Sequence, residues 1–257
     1  MGRGRIAVGR RVRAVEVPDR LAGLRPVYWN PERSAETCAV CTTPVSGYSR
    51  CYQCNAQSGT GNPLANVVAP ITYAVDDSQA MRDLYNYKTV GQEAHDAQVR
   101  LFTMLHASLA LHLPCLIRAG RGEMVVTTVP SSKGRQGDHP LREAMRMFSR
   151  FPQPQIEYVG PANLDAAARR VLAPSRFEVA AHEVAGKHVL LLDDTWVTGA
   201  HMQSCASVLQ SAGAAWVTAV PLGRMLKHRS EVTAAYLSRH KVRVFNPGIC
   251  PLTGMTH

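Results

Sequence analysis

Negative charge is scarce in this chain. Its 19 Asp and Glu stand against 29 Lys and Arg, a formal net charge of +10. That balance favours anionic partners (nucleotides, phosphorylated sugars, nucleic acid, acidic lipid) without choosing among them. No apolar run reaches membrane-spanning length. The most apolar stretch, residues 101–117, is broken by His106, His112 and Pro114, so it reads as a buried core helix and no membrane insertion is expected. The basic opening MGRGRIAVGRRVR is not followed by an apolar core of signal-peptide length, so a cytoplasmic protein is expected. There is no GxxxxGK[ST], which excludes a P-loop. There is no internal repeat beyond two CxxC units and no long low-complexity segment. The seven cysteines are an odd number, and in a reducing compartment paired CxxC units suggest metal rather than disulfides.

What is present organises into three parts. Residues 1–35 form a basic N-terminal segment with eight arginines against Glu16, Asp19 and Glu32, and its first dozen residues read as a tail. Residues 36–60 hold the cysteine pairs. Residues 61–257 form the main domain, after the linker SGTGNP. Strands are predicted at 67–75, 124–129, 188–192, 215–220 and 242–245. Helices are predicted from about 78, at 93–112, 141–148, 200–212 (stopped by Gly213) and 232–239. Strands alternating with helices predict an α/β fold, a doubly wound parallel sheet.

The most informative segment is HVLLLDDTWVTGAH, residues 188–201. A continuous apolar strand runs into Asp193 and Asp194, and five residues beyond the second acid Gly199 hands over to a helix. In open α/β sheets ligands bind beyond the carboxyl ends of the strands. Amides at the following helix N-terminus can wrap a phosphate. Gly199 allows close backbone approach and Thr198 offers a hydroxyl. Two carboxylates beside such a loop suit a ribose 5-phosphate, the acids on the ring hydroxyls and the amides on the phosphate. A helix N-cap or a Mg²⁺ site of another kind is the alternative.

Cys38, Cys41, Cys51 and Cys54 form two CxxC pairs nine residues apart. Each pair sets two thiolates on one turn, and the intervening TTPVSGYSR can fold back as a hairpin to complete a tetrahedral structural Zn²⁺ site. Surface or redox cysteines are the alternative. Cys115 and Cys205 read as core residues, and Cys250 as a substitute ligand should one of the four default.

LLLDDTWVTGA resembles the PRPP-binding motif of type I phosphoribosyltransferases (PRPP, phosphoribosyl pyrophosphate). With the four-cysteine module before it, the chain resembles the ComF/GntX family of competence-associated phosphoribosyltransferase-like proteins from about Cys38 to Arg224. LYNYKTVG (84–91), VVTTVPSSKGRQGDHPL (125–141) and Arg176-Phe177 match further stretches of that family. Val197 stands where the family commonly has Thr, His201 where it has a hydroxyl residue, and the Arg-Gly-Phe-Asn run is replaced by GRQGDH. The resemblance implies a type I phosphoribosyltransferase fold with a small hood. It implies PRPP bound by Asp193, Asp194, Thr195, Trp196, Val197, Thr198, Gly199, Ala200 and His201, with Mg²⁺ bridging the pyrophosphate and the ribose hydroxyls. Lys88, Lys133 and Arg135 would meet pyrophosphate or 5-phosphate, or else be solvated charges. Trp196 would be a lid over the ribose or a packing residue. The activity implied is phosphoribosyl transfer to an unknown nitrogen acceptor. The alternative is a non-enzymatic PRPP or nucleotide sensor that binds single-stranded DNA or another polyanion during DNA uptake or processing.

Overall fold

Residues 188–196 and 216–226 are nearly unbroken apolar runs, the pattern of strands covered on both faces. The computed structural model describes residues 21–131, 140–240 and 244–256. Its elements are α1 (Tyr52–Ser58), β1 (Val67–Val68), β2 (Thr72–Val75), α2 (Gln79–Asn86), α3 (Gln92–Ala119), β3 (Met124–Thr128), α4 (Pro140–Ala144), β4 (Ile156–Tyr158), β5 (Phe177–Val179), α5 (Ala181–Val184), β6 (His188–Trp196), α6 (Ala200–Ser211), β7 (Trp216–Leu226) and α7 (Glu231–Arg239). The central sheet is parallel, in the order β1-β7-β6-β3, with β2 also paired to β7. The single strand expected over 67–75 is two strands along the same edge of β7, because Pro70 has no amide to give the ladder. Bonding resumes on either side of it, from Ala69 N to Ala219 O (2.8 Å) and from Ile71 N to Pro221 O (3.1 Å).

Alternation along the strands sorts the core into two layers. Leu190, Leu192, Val126, Val220 and Leu222 pack with α2 and α3. Val189, Leu191, Val125, Val217 and Ala219 pack with α6. The sheet is therefore covered by helices on both faces. A separate antiparallel pair, β4 with β5, lies outside it.

Ser78 caps α2, its hydroxyl accepting from Met81 N at 3.2 Å. The helix is then tied to its surroundings through buried Asp83. That carboxylate accepts from the Tyr28 hydroxyl at 2.6 Å and from Arg100 Nε and Nη2 at 2.8 and 2.6 Å. α3 runs 28 residues, through Pro114, rather than ending at His112. Leu109, Leu113 and Leu116 remain buried across the proline, and that burial outweighs the missing hydrogen bond. By length and composition this helix could cross a bilayer; in the fold, Leu101, Met104, Leu105 and Leu109 face the sheet core.

Parts of the basic segment and of the cysteine module pack into the two core layers. Leu24 and Tyr28, inside the basic segment 1–35, are core residues. Cys38, Cys41 and Cys54 belong to the same apolar cluster as Trp196 and α6. The tail expected over the first dozen residues lies outside the described residues, as do 241–243 of the last expected strand. Val244 and Phe245 carry no strand structure.

Candidate functional site

β6 outruns its neighbour. β3 ends at Thr128, opposite Leu192, and the last bond between them runs from Val129 N to Leu192 O at 2.9 Å. On its other side β6 continues along β7 through Thr195↔Gly223 and Trp196↔Arg224. The acids do not follow the end of the strand, as the change from apolar to charged residues suggested. They lie within it, on the four-residue step beyond β3, where no described strand pairs with that edge of β6.

Alternation gives the two acids different surroundings. Asp194 is buried on the α2 side: it accepts from the Tyr87 hydroxyl at 2.7 Å and the Thr195 hydroxyl at 2.7 Å, and it pairs with Lys88. Burial opposes its ionisation, but the Lys88 ammonium, helped by the two hydroxyls, wins and holds the carboxyl below its ordinary range. Asp193 is half-buried. It accepts from Asp194 N at 2.8 Å. Desolvation, and then the Asp194 charge, push its carboxyl well above the ordinary range. Like charges on adjacent carboxylates drive their titrations apart, Asp194 downward and Asp193 upward.

The loop at 197–199 leads into α6. Gly199 has φ +80°, and a Cβ there would lie 2.1 Å from Trp196 Cζ2. Glycine is thus needed twice, for the left-handed backbone and for the indole beneath it. Trp196 is 1% exposed and belongs to the apolar cluster under α6. Its ring packs under the loop and does not line the cavity, so the lid role falls. No acidic side chain stands in the first turn of α6, and its N-cap, Gly199, has no side chain to give; the Thr198 hydroxyl accepts from Ala200 N at 3.3 Å. His201 stacks edge-on against Phe177, with ring centroids 5.3 Å apart. Burial, then the charges of Arg176 and Arg169, lower its pKa, so at neutral pH it brings no positive charge to an anion.

These residues share a cavity of about 460 Å³, within the usual range for small-ligand sites. It is lined by Asp193, Asp194, Thr195, Val197, Thr198, Gly199, Ala200 and His201, and by Lys88, which pairs with Asp194. Lys133 and Arg135 lie outside the described residues. Tyr85, Pro130, Ser131, Arg169 and Arg170 also line the cavity and were not singled out from the sequence. Pro130 and Ser131 come two and three residues after the end of β3 and could have been found from that position. The two arginines sit on a single 3₁₀ turn, Ala168–Arg170, which carries no motif.

The four cysteines of the module converge. Their sulfur atoms all lie within 4.8 Å of one another, and Cys41 and Cys51 sulfurs are 3.7 Å apart. Tetrahedral Zn²⁺ with thiolates at 2.3 Å would require sulfur separations of about 3.8 Å. The first pair sits on a tight turn, with Thr42 at φ 60° and Cys38 N bonded to Thr43 O at 2.7 Å. The second pair opens α1, with Cys51 as its N-cap. Hydrogen bonds within the cluster, from Cys38 first, pull the Cys41 thiol well below its ordinary range, and the Arg224 guanidinium adds to this. Such a set can hold a metal ion such as zinc. His112, Cys115 and Cys250 also bring their ligand atoms within 4.8 Å of one another; Cys250 does not join the four.

No family model matches the chain, and no curated protein does. The site itself therefore carries the functional reading. It combines a carboxylate pair, a glycine turn into a helix N-terminus and a lysine around one cavity beyond the end of β3 in a parallel sheet.

Proposed function

We propose that the protein binds PRPP and, with Mg²⁺, transfers its phosphoribosyl group to a nitrogen acceptor, releasing pyrophosphate. One observation carries the reading: Asp193 and the loop at Thr198 and Gly199 line the same cavity, on the step where β6 extends past β3. Carboxylate acceptors for ribose hydroxyls and helix amides for a 5-phosphate are the two halves of this ligand. The fold would then be that of the type I phosphoribosyltransferases, with the β4–β5 pair and its connecting turn in the place of the hood, and the family that of the ComF/GntX-like proteins. The four cysteines would hold structural Zn²⁺.

Within this reading, Asp193 takes the ribose hydroxyls. Its place on the cavity wall and its hard oxygen donors also suit Mg²⁺, which prefers one or two carboxylates plus substrate oxygens and would supply charge neutralisation to the departing pyrophosphate. Asp194 stays an anion on Lys88 and stabilises positive charge developing at the anomeric carbon. Lys88, facing the cavity, reaches phosphate oxygens. Pyrophosphate release from PRPP and Mg²⁺ over a panel of nucleobases and amines tests the transferase reading. A full panel without release, alongside tight PRPP binding, would turn it into a sensor.

That second reading is a non-enzymatic PRPP or nucleotide sensor associated with nucleic acid. The observation favouring it is on the cysteine module, where Tyr48 (74%) and Tyr52 (82%) are exposed on either side of Arg50. Exposed aromatics interleaved with a cation are a stacking surface for single-stranded bases. Salt-dependent binding to single-stranded DNA, weakened by Tyr48→Ala, is its test.

A further inference from the structure

The loop at 196–199 is held from outside its own strand and helix. Arg224, on β7, is buried at 5% exposure. Its Nη1 donates to Trp196 O at 2.8 Å, Val197 O at 3.0 Å and Met225 O at 2.7 Å. Its Nη2 donates to the Thr43 hydroxyl, which lies 3.1 Å from the Cys41 sulfur. A second brace comes from α1, the helix opened by Cys51 and Cys54: Gln57, 5% exposed, donates from Nε2 to Thr198 O at 2.9 Å. Three consecutive carbonyls, of residues 196, 197 and 198, are therefore fixed by two buried side chains. One of these contacts the cysteine turn and the other belongs to the cysteine helix.

From this geometry we infer that Arg224 and Gln57 are positioning residues, and that the cysteine module is the outer wall of the phosphate loop rather than a separate appendage. The inference rests on the proposed ligand site for its consequence, though not for its geometry. Fixing a carbonyl fixes the peptide plane, and so aims the next amide. With the carbonyls of 196–198 turned back toward Arg224 and Gln57, the amides of 197–199 are held in one orientation. Electrostatics supports the link from the metal side. Four thiolates around a divalent ion would carry net charge −2, and Arg224 reaches that cluster through the Thr43 hydroxyl, which lies 3.1 Å from the Cys41 sulfur. Metal in the module gives the Arg224 charge a buried counter-charge; without one, a cation in this position is costly. The module's metal would thus set the stiffness of the loop without touching the ligand.

The test uses the full chain and two readouts. The first is hydrogen–deuterium exchange of the peptide covering 195–204; the second is calorimetric affinity for PRPP, with inorganic phosphate as a probe of the loop alone. Gln57→Ala removes one hydrogen bond and leaves all four cysteines. It should raise exchange at 198–203 and weaken phosphate and PRPP binding about fivefold, with metal content and exchange in α3 unchanged. Arg224→Lys, which keeps the charge but loses the fork, should have the larger effect of the same kind. Cys41→Ser should reproduce the exchange change through loss of metal. Unchanged exchange at 198–203 in folded Gln57→Ala overturns the inference, even if Arg224→Lys fails to fold. If wild type shows a protected loop that Gln57→Ala releases, but neither protein binds PRPP, the bracing stands and the ligand assignment falls.

Discussion

Exchanging each acid of the pair for asparagine should separate stability from binding. Asp194→Asn keeps the shape but removes the charge from two hydrogen bonds, with Tyr87 and Thr195 at 2.7 Å each, and from the Lys88 pair. A hydrogen bond to a charged acceptor is worth about 1.5–3 kcal/mol, against about 0.5–1.5 for a neutral one, so the two bonds lose about 2 kcal/mol together. The Lys88 pair adds to this loss, because Asp194 is 5% exposed and the change leaves Lys88, 23% exposed, without its counter-charge, so about 2 kcal/mol is the lower bound. For a chain of this size about 2 kcal/mol lowers Tm by roughly 4–8 °C. Asp193→Asn should do the opposite. Its carboxyl is pushed up by burial and by Asp194, so at neutral pH it strains the fold, and a neutral side chain leaves stability unchanged or slightly higher. Both variants should lose PRPP affinity, since each removes an ionisable acceptor from the cavity. Thermal denaturation at pH 7 with paired calorimetry measures both. Equal destabilisation by the two changes would refute the division of roles.

The same pair sets the pH behaviour. Asp193 titrates above the ordinary carboxylate range, so below that value a ligand needing its carboxylate must expel a proton; affinity for Mg²⁺-PRPP should climb with pH by up to about tenfold per unit until Asp193 is ionised, and Asp193→Asn should flatten the climb. Asp194 titrates below the ordinary range, so its stabilisation is present above the unfolded carboxylate value and is lost as pH falls through the folded one; Asp194→Asn should reduce the acid sensitivity of Tm. Gly199→Ala forces an alanine into φ +80° and its Cβ onto the Trp196 ring, for a cost of about 2–4 kcal/mol by chemical denaturation; Trp196→Leu in the same chain should recover part of it, and full additivity would deny the contact. Cys41→Ser should strip the metal of the cysteine module and lower Tm, as metal ligation there is folding energy; metal analysis showing undiminished zinc would remove the assignment.

Much of the site could be read from local sequence because its elements announce themselves locally. The run from His188 is apolar enough to be only a buried strand, Ser78 caps α2, and Gly213 at φ 93° follows α6. What could not be read depends on partners distant in the chain. Nothing near Asp193 says that β6 continues through it; β7, up to Leu226, keeps it paired. The apolar-to-charged change hid the burial of Asp194, whose partners Tyr87 and Lys88 arrive from over a hundred residues away. β4 and β5 are three residues each, too short for period-two alternation to stand out. The cysteine spacing pointed to a metal site, but not to Gln57 reaching Thr198, a contact 141 residues apart in sequence.

The most direct measurement is a calorimetric titration of the full chain with PRPP in Mg²⁺, beside Asp193→Asn under the same conditions. Saturable one-site binding by wild type, weakened at least tenfold in a variant of unchanged Tm, is the expected result; one charge-assisted hydrogen bond is worth about that much. Absence of PRPP binding by the folded wild-type chain, or equal affinity in the two proteins, would contradict the proposed site.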